Sequence, residues 1–269
     1  MRGGARGPDA LDRPEILARL FHPRRDARPP PQGALDLSIP LADGEVLGAR
    51  FHPSVPDRPS LLFFHGNGEV AADYDDVGPL FASAGWNFVA LDYRGYGRSS
   101  GRPTAAALLA DARAAFPWVR AWLAERGCTG SVAVFGRSLG SAPALELAAG
   151  LGWPAVAGLV LDSAFARELL LLEALGIDGA DLGLTEADGF RNLDKVRRYG
   201  GPTLVLHGAR DRLIPPEDGR ALFDASAAQD KRLVLIPGAD HNSLFLHGLE
   251  TYLGALGDLA RKVRRGTGA

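Results

Sequence analysis

From Ser60 onward, short apolar runs alternate with longer stretches of helical period, and this alternation constrains the fold more than any other feature of the chain. Leu61 to His65, Asn87 to Asp92, Ser131 to Phe135, Ala157 to Asp162, Thr203 to His207 and Arg232 to Ile236 read as strands. Ala71 to Ala84, Thr104 to Glu125, Ser141 to Ala149, Pro216 to Ala227 and Leu244 to about Val263 read as helices between and after them. Such alternation predicts an α/β fold, a parallel sheet with helices on both faces. Pro117 predicts a kink in the second helix, or two shorter helices meeting there. Upstream, Leu35, Leu37 and Ile39 alternate with polar residues, Ala42-Asp43-Gly44-Glu45 is a turn, and Val46 to Phe51 follows, so an antiparallel hairpin precedes the parallel strands. The sheet then has about eight strands.

Residues 1–33 differ in composition from the rest. They are rich in Arg, Pro and Gly, with one short helix expected from Arg13 to Phe21 and a break at Pro29-Pro30-Pro31, which predicts a partly ordered N-terminal arm. Residues 34–269 then form one α/β domain, a size with ample core. Ala164 to Gly200 breaks the rhythm between two strands at their carboxyl ends, and is expected to form a small helical cap.

A net charge of -2 makes no electrostatic case for nucleic acid. Cys128 is the only cysteine, which rules out an internal disulfide and argues against a cysteine-built metal site. No apolar h-region follows the basic N-terminus, and no apolar run reaches the length of a membrane span. The expectation is a cytoplasmic protein without a stable membrane anchor.

The chemistry is concentrated at Gly136-Arg137-Ser138-Leu139-Gly140, which follows a strand and opens a helix. A serine between two glycines at a strand-to-helix junction is the nucleophile-elbow pattern, because the glycines allow the sharp turn that exposes the hydroxyl. A glycine turn alone would also match, but two partners follow Ser138 in the order acid, then histidine, each just past a strand end where active sites of open α/β sheets form. The acid is Asp211, preferred to Asp162 because its loop runs into Leu213-Ile214-Pro215-Pro216, which would hold it firmly. The base is His241, preferred to His247 within the last helix. The main-chain N–H groups of Leu139 and of Asn67, in His65-Gly66-Asn67-Gly68, are candidates for an oxyanion hole. Glu69 reads as a helix-start acid. One competing pattern is Gly66-x-Gly68-x-x-Ala71 with Asp92 downstream, which on paper is a dinucleotide fingerprint. It leaves Ser138, Asp211 and His241 unexplained.

With these residues placed, the chain from about Ala34 onward resembles the α/β-hydrolase fold family. Phe64-His65-Gly66-Asn67-Gly68, Leu91-Asp92-Tyr93-Arg94-Gly95-Tyr96-Gly97-Arg98-Ser99 and Gly136-Arg137-Ser138-Leu139-Gly140 resemble its small-capped BEM46-like and ABHD13/ABHD17-like serine hydrolases. The resemblance implies a Ser-Asp-His esterase or thioesterase without a cofactor or metal, acting on a small acyl substrate, with amide or peptide cleavage as the alternative. Some relatives carry an N-terminal cysteine cluster for membrane attachment and remove fatty acyl groups from protein cysteines. This chain has no cysteine before Cys128, and neither property is carried over. The acyl pocket is expected to be modest and apolar, walled by the cap from Phe165 to Leu175 and by residues near Leu244 and Phe245. A nucleotide-dependent oxidoreductase and a non-catalytic binding protein are the readings from other classes.

Overall fold

The computed structural model describes residues 7–265, so the basic start of the arm, residues 1–6, lies outside the described residues. A short helix α1 (Pro14–Leu20) precedes a hairpin of β1 (Leu35–Pro40) and β2 (Val46–His52). The alternating part follows as β3 (Ser60–Phe64), α2 (Gly78–Ser83), β4 (Asn87–Leu91), α3 (Ala105–Glu125), β5 (Val132–Arg137), α4 (Ser141–Leu151) and β6 (Leu159–Asp162). After it come α5 (Glu168–Ala174), α6 (Asn192–Val196), β7 (Thr203–Gly208), α7 (Pro216–Ala225), β8 (Lys231–Ile236) and α8 (Leu244–Arg265). The eight strands form one sheet in the order β1-β2-β4-β3-β5-β6-β7-β8. β2 pairs antiparallel with β1 and β4, and every later pair is parallel. This is the fold expected from the sequence.

Alternation along the strands divides the apolar residues between two cores. Leu62, Phe64, Val89, Leu91, Val134 and Leu161 face the side covered by α1, α3 and α4. Leu61, Phe63, Phe88, Ala90, Phe135 and Val160 face α2 and α8. Both faces of β3 and β4 are therefore dry, which is why these strands read as apolar runs without polar alternation.

Two elements differ from their sequence reading, and for α3 one of the two alternatives, a pair of shorter helices, is excluded. The helix expected over Ala71 to Ala84 is broken into a single 3-10 turn, Ala71–Tyr74, and α2. The residues between are held by tertiary contacts, since Asp75 accepts from the buried Arg50 guanidinium at 2.6 Å. The helix α3 runs through Pro117 as one element. Pro117 is exposed there, so its missing N–H and its ring face solvent instead of the core. The last helix contains a break at Gly248.

Residues 7–33 lie against the body of the domain. Ile16, Leu20 and Phe21 are buried in the core on the α3 side. The Asp12 carboxylate accepts from the N–H of Ala105 at the start of α3, at 2.6 Å, and Arg13 donates to the carbonyl of Leu182 in the cap, at 2.8 Å. The segment expected to form the cap comprises α5, a 3-10 turn at Glu186–Asp188 and α6. Among the described residues no helix is long and apolar enough to cross a membrane.

Candidate active site

Ser138 stands at the sharp turn between β5 and α4, with φ 52°. That left-handed conformation costs a non-glycine residue about 1–3 kcal/mol, so the surroundings must impose it. They do so by close packing. A Cβ on Gly136 would lie 2.2 Å from the carbonyl oxygen of Gly140, and one on Gly140 would lie 2.0 Å from that of Phe64. Only glycine fits at either position, because the start of α4 folds back closely over Gly136 and Gly140 is pressed against the end of β3.

The three residues singled out in the sequence meet at the carboxyl edge of the sheet. The Ser138 hydroxyl lies 3.0 Å from Nε2 of His241, and Nδ1 of the same ring lies 2.7 Å from Oδ2 of Asp211. With Nδ1–H donating to the carboxylate, Nε2 is left as an acceptor for the serine proton. All three side chains are buried, with Ser138 and His241 each 8% exposed. The arrangement can transfer a proton from the hydroxyl to the imidazole and stabilise the resulting imidazolium with a carboxylate.

Asp211 serves two ends at once. Its Oδ1 accepts from the N–H groups of Leu213 and Ile214, both at 2.9 Å, which shapes the loop, while Oδ2 faces His241. His207 buttresses the same loop, with Nε2 2.9 Å from the carbonyl of Ile214 and 3.4 Å from Oδ2 of Asp211. Burial opposes ionisation of Asp211, but hydrogen bonds from His207, His241 and the N–H of Ile214 outweigh it and hold the carboxyl well below the usual range. The rival acid Asp162 points elsewhere, accepting from the Tyr252 hydroxyl at 2.6 Å and from Ser163 at 2.8 Å. His247 is exposed on α8, with its ring over Gly238.

Asn67 lies just past β3. Among the described residues neither its main-chain N–H nor that of Leu139 donates to a protein acceptor. The competing dinucleotide reading needs a helix opening at Gly68 and an available Asp92. The 3-10 turn there is four residues long, and Asp92 is buried with its carboxylate accepting from the N–H groups of Ala71 at 2.7 Å and Arg98 at 3.3 Å. Asp92 holds the turn after β4.

Arg137 and Glu69 are members of the site that sequence reasoning did not single out for it. Arg137 Nη1 pairs with Glu69 at 2.5 Å, and its Nη2 donates to the carbonyl of His241 at 3.1 Å and to Oδ1 of Asn242 at 2.9 Å. Glu69 also accepts from the N–H of Gly66 at 2.7 Å and from the Tyr74 hydroxyl at 2.6 Å. One guanidinium thus ties the elbow, the Asn67 loop and the His241 loop together. Burial works against the charge of Arg137, but the Glu69 carboxylate more than restores it and raises its pKa. A side chain at Gly66 would sit 2.6 Å from Nη1, so the second residue of His65-Gly66-Asn67 is small to admit this arginine.

A cavity of about 290 Å³ has Phe63, Val77, Phe81, Phe245 and Tyr252 on its apolar side and the charged groups of Glu69, Asp73, Arg137 and Asp162 on the other. The expected contribution of Phe245 is present, but the cap does not line it as the sequence suggested. Phe165 and Leu172 point into the core instead, where Phe165 packs edge-on against Phe190.

The chain matches the family described as serine aminopeptidase, S33, over residues 56–172 and 189–258, with the interruption inside the cap. It is 34% identical to human α/β hydrolase domain-containing protein 17B over 198 residues, which cover 70% of this chain and 62% of that protein. It therefore spans less than two thirds of that relative. An uncharacterized protein of Mycobacterium tuberculosis is 32% identical over 211 residues, 77% of this chain and 72% of its own length. Among solved structures, the esterase Pf2001 of Pyrococcus furiosus superposes with a TM-score of 0.71 at 17% identity, over 90% of this chain and 99% of that one. The esterase Est2 of Thermogutta terrifontis gives 0.65 at 24% identity, over 90% and 95%. At these identities the structural likeness is one of fold.

Proposed function

The chain belongs to the α/β-hydrolase family described as serine aminopeptidase, S33, and from that premise we propose that it cleaves a carboxylic ester or thioester through an acyl-enzyme on Ser138. The observation that carries this reading is the line from Ser138 Oγ through His241 to Asp211, with hydrogen-bond distances of 3.0 and 2.7 Å, on a serine held at positive φ. In the first half-reaction His241 Nε2 takes the Ser138 proton as Oγ attacks the acyl carbonyl. The N–H groups of Asn67 and Leu139 hold the oxyanion, and the imidazolium returns the proton to the leaving alkoxide or thiolate. In the second, water loses a proton to His241, attacks the acyl carbon, and the acid departs as Ser138 regains its proton. Asp211 stays ionised throughout, which its depressed pKa supports.

The aromatic side of the cavity at Arg137, within a volume of about 290 Å³, supports a short to medium acyl group, with Glu69, Asp73, Arg137 and Asp162 limiting the apolar chain to that side. The same reading places the enzyme in the cytoplasm, acting on small acyl substrates without a metal or organic cofactor. The family description favours a second activity, removal of an N-terminal amino acid from a peptide. A fluorophosphonate probe followed by intact mass tests the nucleophile, with one adduct on wild type and none on Ser138→Ala. Butyryl and octanoyl esters, their thioester counterparts and aminoacyl anilides then separate the leaving groups. Labelling without ester or thioester turnover, but with anilide cleavage, would move the activity to peptides. No adduct on wild type would overturn the serine mechanism.

A further inference from the structure

The loop that carries Asn67 is tied at nearly every residue. The Tyr93 hydroxyl donates to the carbonyl of His65 at 2.5 Å, Glu69 accepts from Gly66, and Arg24 Nε donates to the carbonyl of Gly68 at 2.8 Å. The Asn67 side chain itself receives two donors on one oxygen. The Tyr96 hydroxyl donates to Oδ1 of Asn67 at 2.8 Å, and the main-chain N–H of His22 is shared between that same Oδ1 and the Tyr96 hydroxyl, each at 2.8 Å. His22 and Arg24 belong to the N-terminal arm, far away in sequence. The arm reaches this place by pairing with the loop after β4, where the N–H of Gly97 donates to the carbonyl of Arg24 at 2.8 Å and the N–H of Asp26 to that of Gly97 at 3.2 Å. Arg24 also pairs with Asp73, four residues past Glu69. The immediately preceding residues, Leu20 and Phe21, are buried in the core, so the strap starts from a fixed point.

We propose that the N-terminal arm is a working part of the oxyanion hole, in which the His22 main-chain N–H and the Tyr96 hydroxyl act as positioning groups that hold the Asn67 side chain and so aim its main-chain N–H. The proposal rests on the reading of Asn67 as an oxyanion donor. The physical reason is that a peptide plane at the tip of a glycine-flanked loop can still swing about its flanking φ and ψ between fixed neighbours, and a misdirected donor loses its hold on the transition state while ground-state binding is little changed. Tyr96 is fully buried and its ring lies 5.4 Å from that of His65, so its hydroxyl is itself rigidly placed. The arm supplies the second donor, and the two meet at one acceptor.

The test compares wild type with Tyr96→Phe, His22→Pro and His22→Ala in the full chain, using 4-nitrophenyl butyrate at a temperature well below each Tm. Tyr96→Phe removes the hydroxyl that donates to Asn67 and accepts from His22, His22→Pro removes the other donor, and His22→Ala keeps the N–H while losing, as His22→Pro also does, the ring whose Nδ1 lies 3.3 Å from Nδ2 of Asn67. Removing an oxyanion donor outright commonly costs 10²–10³ in kcat, so releasing its orientation is expected to cost roughly tenfold in Tyr96→Phe, at unchanged KM. His22→Pro should lose kcat by a similar factor, several-fold more than His22→Ala. The proposal is overturned if Tyr96→Phe keeps the wild-type kcat, if its loss appears only in KM, or if His22→Pro and His22→Ala behave alike. Failure of the hydrolase reading would show separately, as absence of fluorophosphonate labelling on wild-type Ser138.

Discussion

Removing the Arg137 guanidinium tests whether one side chain holds the site together. Its partner Glu69 is a quarter exposed and Arg137 itself 15% exposed, so the pair sits between a surface ion pair and a fully buried one. Breaking a buried pair by deleting one partner costs about 3–5 kcal/mol, whereas exposed pairs are worth about 0–1 kcal/mol. In Arg137→Met, Glu69 would keep the Gly66 N–H and Tyr74 hydroxyl as donors, but the carbonyl of His241 and the Asn242 side chain would each lose one. The intermediate cost is about 2 kcal/mol. Unfolding entropies near 2.1 cal/mol/K per residue over 269 residues give about 0.6 kcal/mol/K, so Tm should fall by about 3 °C. Glu69→Gln should cost a similar amount alone. The double variant should cost less than the sum, with a coupling of about 1–2 kcal/mol, because the first change has already removed the interaction. Thermal unfolding by circular dichroism gives all four corners, and kcat on an aryl ester should fall about tenfold in Arg137→Met as the His241 loop loosens. Additive losses with a wild-type kcat would refute the view that this guanidinium couples the three loops.

Ser138→Ala should lower turnover by several powers of ten, measured on the same ester. Ser138→Gly should do likewise and raise Tm, because the φ of 52° no longer carries a side-chain penalty; a lower Tm would contradict the strain argument. Asp211→Asn should reduce kcat by about 10³–10⁴ through loss of the correct imidazole tautomer, and full activity would remove Asp211 from the mechanism. In the cap, burial together with the hydrogen bond and charge of Glu186 pushes Glu168 up to about 8, above its ordinary value of 4.5. The folded state therefore binds a proton that the unfolded state releases, and this contribution to stability is present below about pH 4.5 and is lost as pH rises through 8. The Tm of wild type relative to Glu168→Gln should fall between pH 5 and 8.5, and parallel profiles would show that Glu168 is ionised throughout.

The strands and the principal site residues were legible because each depends on local chemistry. A strand covered on both faces must be apolar along its length, and an elbow folded tightly on itself and pressed against β3 tolerates only glycine at positions 136 and 140, so both leave a mark in a handful of consecutive residues. The order of Ser138, Asp211 and His241 past successive strands follows from the same sheet. The long helix expected after Asn67 was misread because Asp75 is claimed by Arg50 of β2, a contact that no local period reports. The cap residues Phe165 and Leu172 read as pocket walls because apolarity marks burial, not which buried space a side chain fills.

Sequence alone determined the sheet, its two cores and the serine, aspartate and histidine that the loops present, since periodicity and glycine sterics act over a few residues. Tertiary structure decided everything that depends on which loops become neighbours: that Arg137 reaches both Glu69 and the His241 loop, that the cavity lies under Phe63 and Phe245, and that His22 of the arm meets Asn67. The bonds of Asn67 to His22 and of Arg137 to His241 join residues 45 and 104 positions apart, and they form only once the sheet has brought the strand ends to one edge.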